Sequence, residues 1–102
     1  MPEYLYVFTP GDRPELARDL TAWTEEDLEV LQAHSTHLER GAAEGVIILA
    51  GRSQDGIGPS VVIFEAADHA AAEAFMASDP FLTSGLFGAR LHPFRAAFMR
   101  SD

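Results

Sequence analysis

Three side chains in this sequence have the types and settings for acid–base chemistry: His34, His37 and Asp79. Neutral imidazole takes up and releases protons near pH 7, and a carboxylate beside it fixes the tautomer and raises the pKa. Asp79 follows an alanine-rich stretch and precedes Pro80. It reads either as a turn residue bonding its own backbone or as the carboxylate that orients a histidine. His34 and His37, three apart, would share a helix face, so one or both can line a pocket. The plain alternative is a structural or solvent-facing role. The chain has no cysteine, and His-x-x-His alone falls short of the three or four protein ligands that zinc takes, so no metal is expected. Gly51-Arg52 follows an apolar run and opens the longest glycine-rich stretch. Its guanidinium either grips a carboxylate or phosphate through paired hydrogen bonds or lies on the surface. Gly56-x-Gly58 lacks the lysine and the strand-to-helix setting of a phosphate loop. No serine sits in a Gly-x-Ser-x-Gly elbow. With 16 acidic residues, pairs of carboxylates arise by chance and carry no message. His69, beside a helix N-cap, is poorly placed to be protonated, and His92, next to Pro93, reads as structural or rim.

These residues need elements to position them. The aromatic and β-branched run at 4–8 predicts a strand, closed by Thr9-Pro10-Gly11-Asp12. Residues 13–23 are either a short helix opened by Pro14 or an ordered excursion. Thr24 with Glu25, Glu26 and Asp27 has the makings of an N-cap close to a capping box. Leu28, Leu31, Ser35, Leu38 and Ala42 then recur at helical spacing, so a helix is expected over 25–44, with Gly45 just past its end and Gly41 weakening its last turns. Trp23, before the cap, is expected to staple the entry to Leu28 or nearby, with a pocket wall as its second role. Residues 46–50 and 61–65 predict two strands of a hairpin joined by a long turn-rich loop. Asp68 can cap a second helix with an apolar face of Ala71, Ala74 and Phe75, ended by Ser78-Asp79-Pro80. Residues 88–98 read as a last strand, and Pro93 argues for an edge position or a bulge.

The order β-α-β-β-α-β predicts one α+β domain over residues 1–102, ferredoxin-like, with a four-stranded antiparallel sheet and two helices on one face. Tyr4, Tyr6 and Phe8 alternate with Leu5 and Val7, so both faces of the first strand are apolar. That supports self-association as a homodimer through the open sheet face. The net charge of −9, with only arginine on the basic side, disfavours nucleic acid and anionic membranes as partners while leaving room for a local anion pocket. No apolar stretch approaches the length that spans a bilayer, and no leader pattern opens the chain. A cytoplasmic location is expected, with no cofactor.

The assembled residues resemble the YciI-like proteins, or YCII-related domains. The resemblance rests on His34, Leu38, Gly45 and Gly51, an alanine-rich helix, Asp79-Pro80-Phe81, Gly85 and Pro93-Phe94, in that order, across about residues 28–98. The chain departs in having Gly51-Arg52 where the family often has Gly-Pro, and in a longer stretch at 9–24. The resemblance implies a ferredoxin-like domain that dimerises with sheets facing each other. It also implies an active site built on a histidine and an aspartate, which fall on His34 and Asp79; His37 has no counterpart. His37, Gly51, Arg52 and Phe81 are then the expected pocket or ligand-binding residues. Similar domains are associated with dehalogenation and other changes to hydroxylated aromatic compounds, and the wider group includes accessory and sensing modules. Three readings follow: an enzyme using His34 and Asp79 on a small hydroxylated or aromatic molecule, a non-catalytic dimeric ligand-binding or accessory domain, and a structural assembly unit.

Overall fold

Strand β1, Glu3–Pro10, is buried at Tyr4 and Tyr6 and less so at Leu5 and Val7 in the computed structural model, which describes residues 1–101. That alternation sets the two faces of the sheet. β1 pairs antiparallel with β3 (Ser60–Glu65) on one side and β4 (Phe87–Phe94) on the other. β2 (Ile47–Arg52) pairs with the far side of β3, giving the order β2-β3-β1-β4. Tyr6 lies opposite Val62 and Leu91, and Tyr4 opposite Phe64. These side chains, with Ile47, Ala66 and Ala72, make the core between the sheet and its helices. The architecture is the expected α+β, ferredoxin-like one. β4 is an edge strand, so Pro93 costs no ladder bond that the sheet needs. The strand stops at Phe94 and does not continue to residue 98. Beyond it, the Ala96 amide donates to the Glu3 carboxylate at 2.9 Å.

Helix α1 (Glu25–Ala43) begins with the capping box foreseen in Thr24 and Asp27. Arg13 reaches the same Asp27 carboxylate, and this hydrogen bond, with those from Thr24, holds Asp27 below the usual carboxylate range. The buried line of α1 is Asp27, His34 and Gly41, one every seven residues. This corrects the expected face. Leu31, Ser35 and Leu38 are half-buried, but Ala42 is exposed and Leu28 is 51% exposed. Apolar periodicity is blind to a stripe built from an aspartate, a histidine and a glycine. Gly41 is there for close approach: a Cβ on it would come within 2.6 Å of Ile47 Cδ1.

Helix α2 (His69–Ala77) starts at Asp68, whose side chain accepts from the Ala71 amide. It turns Ala72, Phe75 and Met76 to the core, and Ala71 and Ala74 face outward. An alanine-rich segment offers too little contrast to show which side is inward. Between α2 and β4 a one-turn helix, α3 (Pro80–Thr83), leads to Gly85, whose φ of +79° turns the chain where a side chain would be strained. Residues 13–23 form two short 3-10 turns, Pro14–Ala17 and Leu20–Ala22, anchored by the buried Leu16. The sheet face away from the helices carries Leu5, Val7, Val61, Ile63 and Leu49. Among the described residues no helix is long and apolar enough to cross a membrane.

Candidate acid–base site

The site is assembled by the short α3. Asp79 is its N-cap: carboxylate Oδ1 accepts from the Phe81 amide at 2.9 Å. The same oxygen lies 2.7 Å from His34 Nδ1. The other, Oδ2, accepts from the Tyr6 hydroxyl at 2.7 Å. The turn role and the histidine-partner role are therefore filled by one side chain, and it is 0% exposed. Each partner arrives from a different element: His34 from the buried line of α1, Tyr6 from the inward face of β1, and Phe81 from α3 itself.

Burial works against ionisation of Asp79, but the hydrogen bonds from His34, Phe81 and Tyr6 outweigh it and hold its pKa below the ordinary value. Tyr6 is pushed far above the ordinary phenol range by burial and then by the Asp79 charge, so its hydroxyl stays a donor. An ionised carboxylate can only accept, so neutral His34 carries its proton on Nδ1 and its lone pair on Nε2. Nε2 has no partner among the described residues. It is not sealed in either: the buried side-chain nitrogen lacking a partner is His37 Nε2.

The imidazole sits in an aromatic wall. Phe81 stacks on it with centroids 3.7 Å apart and 12° between planes, and the ring of Phe8 meets it edge-on at 5.6 Å. Phe87 packs on Phe81 at 4.8 Å. Trp23 closes the outside, its ring 6.2 Å from both Phe81 and Phe87 and its indole N–H donating to the Leu16 carbonyl. The expected staple to Leu28 does not form, because that leucine faces solvent; Trp23 is the wall of the site.

Of the expected pocket residues, Phe81 lies against the pair. His37 lies one turn along α1 and stacks on Phe75 at 5.3 Å. Gly51 and Arg52 belong to β2, which runs on through Arg52 and does not stop near Gly51. Gly51 pairs with Val61 on the face away from the helices, and Arg52 pairs with Ser60 at the end of an edge strand. Neither joins the histidine and aspartate. Tyr6 is the member that sequence reasoning missed; the phenol at the buried position of an apolar strand was its only signal. Among the described residues no group of three or more His, Asp or Glu side chains is arranged to hold a metal ion.

A cavity of about 540 Å³ adjoins the cluster, with Phe8 and Phe87 among its walls. His34 and Asp79 do not line it, and the Phe8 ring stands between.

The solved structure of 5-chloro-2-hydroxyhydroquinone dehydrochlorinase from Burkholderia phenoliruptrix AC1100, in complex with 2,5-dihydroxybenzoquinone, is similar to this one with a TM-score of 0.58. The likeness covers 89% of this chain and 93% of that chain at 23% identity, which supports the fold. No curated protein matches the sequence. The model of the YCII-related domain matches residues 5–93, a span that holds His34, Asp79, Tyr6 and all four strands but for their outermost residues. The chain belongs to the YCII-related domain family.

Proposed function

We propose that this protein is a small enzyme in which His34, oriented by Asp79, moves a proton on a small hydroxylated aromatic molecule. The observation that carries this reading is the buried carboxylate 2.7 Å from Nδ1 with the opposite ring nitrogen unpartnered. A phenolic hydroxyl at Nε2 gives its proton to that nitrogen, and the ionised Asp79 stabilises the imidazolium. The proton can return from Nε2 to a ring carbon. Positioned proton transfer of this kind contributes about 10² to 10⁴ in rate. The solved dehydrochlorinase, whose name gives a chlorinated hydroxyhydroquinone as its substrate, supports this class of substrate. The test is turnover of di- and trihydroxybenzenes, with and without a ring chlorine, followed by absorbance and chloride release. His34→Gln is expected to lose about 10² or more in kcat with ligand binding kept. Wild-type-like turnover in that variant refutes the reading.

The tight stacking of His34 on Phe81 favours a second reading, a non-catalytic ligand-binding domain, which retained binding and no turnover by the wild type would support. In either case we propose a homodimer through the open sheet face, where Leu5, Val7, Val61 and Ile63 form a contiguous apolar surface.

A further inference from the structure

We propose that the cleft between the Pro14–Ala17 turn and the β2–β3 loop is a second small-molecule site, which binds a hydroxylated aromatic monocarboxylate with Arg18 as its anion-binding group. The cleft has a volume of about 540 Å³, within the range of about 300–1,000 Å³ of small-molecule sites. Four separate segments enclose it. The end of β1 and start of β4 supply Phe8 and Phe87, the turn supplies Pro14, and the loop supplies Ile57 and Pro59. These walls are flat and apolar and suit a ring. Ile57 is 78% exposed at the rim, so it has apolar surface left to cover a ligand.

Arg18, Glu15 and Ser60 are polar residues that line the cleft beside these walls. The chain carries 16 acidic residues against seven arginines, and Arg13 is tied to Asp27. The Arg18 side chain, by contrast, makes no ion pair or hydrogen bond among the described residues, and only its backbone N–H is used, donating to the Glu15 carbonyl. Its stem runs along the loop at Gly56, where a Cβ would lie 3.8 Å from Arg18 Cγ. The guanidinium is thus placed at the cleft with its donors unused, and a planar carboxylate matches them two at a time.

Glu15 selects the ligand further. A dianionic phosphate would meet its charge, whereas a monoanion with a hydroxyl can donate to it. Ser60 offers the same acceptance to a second hydroxyl. The site does not depend on the acid–base reading, because the Phe8 ring separates it from His34.

The experiment is calorimetric titration of the full chain with 3-hydroxybenzoate and with its neutral counterpart 3-hydroxybenzamide. Wild type is expected to bind the acid more tightly than the amide. Arg18→Gln is expected to weaken the acid at least about tenfold and leave the amide within about twofold, with Arg18→Lys in between. His34→Gln is expected to bind both as wild type does. Arg18 is exposed and unpaired, so the folded state of its variants is checked by circular dichroism and expected unchanged. Three results overturn the proposal: equal acid binding by wild type and Arg18→Gln, no saturable binding of the acid by wild type up to about 10 mM, or loss of binding in His34→Gln alone, which would move the ligand to the histidine.

Discussion

Replacing Asp79 by alanine should destabilise the protein far more than replacing it by asparagine. The carboxylate is 0% exposed and accepts from three donors: His34 Nδ1 at 2.7 Å, the Tyr6 hydroxyl at 2.7 Å and the Phe81 amide at 2.9 Å. Alanine leaves all three without an acceptor in a buried place, and each such group costs about 1–3 kcal/mol. Two effects reduce the sum: the burial cost of the carboxylate charge disappears, and water can enter the gap left behind. A loss of about 3–5 kcal/mol remains, as for other buried charges removed from their partners. That is a large part of the stability of an ordinary domain. Asparagine keeps one oxygen for the His34 and Phe81 donors, and its amide can donate to the Tyr6 oxygen once that hydroxyl rotates. It gives up only the charge-assisted part of these bonds, about 1–2 kcal/mol. Urea unfolding followed by fluorescence measures both losses, and the single tryptophan, Trp23, stands against Phe81 and so reports on α3 directly. A loss below about 1 kcal/mol in Asp79→Ala, or equal losses in the two variants, would refute the idea that this carboxylate holds three elements together.

The same carboxylate predicts an acid response. Its native pKa is depressed, so its contribution is complete above the ordinary value of about 4 and fades as pH falls through the lower native value. Stability below about pH 4 should therefore fall less steeply in Asp79→Asn than in wild type. Tyr6 gives the alkaline counterpart. Its native pKa is raised, so the stability it contributes is present below about pH 10 and declines above it, and Tyr6→Phe should remove that part of the decline. Two glycine variants should differ. In Gly11→Ala the new Cβ meets the Gly85 and Leu86 carbonyls, backbone that cannot step aside, for a loss of about 1–3 kcal/mol by urea unfolding. Gly41→Ala meets Cδ1 and Cγ1 of the Ile47 side chain rather than backbone and gains about 1 kcal/mol of helix propensity, so its net change should be the smaller. Val7→Asp, which places a charge opposite Val61 on the open sheet face, should convert the proposed dimer to monomer by sedimentation; a monomeric wild type would refute the pairing.

Legibility of the fold followed how local each signal was. Strand β1, the Thr24 capping box and the Asp68 cap were plain because neighbouring residues specify them. The inward side of α1 was not, because its buried line is Asp27, His34 and Gly41 and the apolar residues beside it are half-exposed. Residues 13–23 resisted because 3-10 turns leave no long period to read. His34 and Asp79 lie 45 positions apart, and no spacing rule joins them; the family resemblance suggested the pair, and the fold brings it to 2.7 Å. Tyr6 stayed hidden because an aromatic residue in an apolar strand reads as core, and its polar tip acts only where Asp79 can reach it. Gly51 and Arg52 read as the opening of a loop because a glycine follows the apolar run, but pairing with β3 extends the strand over them.

Asp79 caps α3 while it orients His34. A descendant that abandoned the proposed chemistry would still be selected for an acidic residue at this place, since its folding needs one. The histidine is under a looser constraint, because another side chain with an N–H donor could satisfy the same oxygen. When relatives of this chain are compared, a retained aspartate therefore says little about activity. An asparagine or glutamine in place of His34 beside an intact aspartate would mark a lineage that kept the scaffold without the proposed reaction.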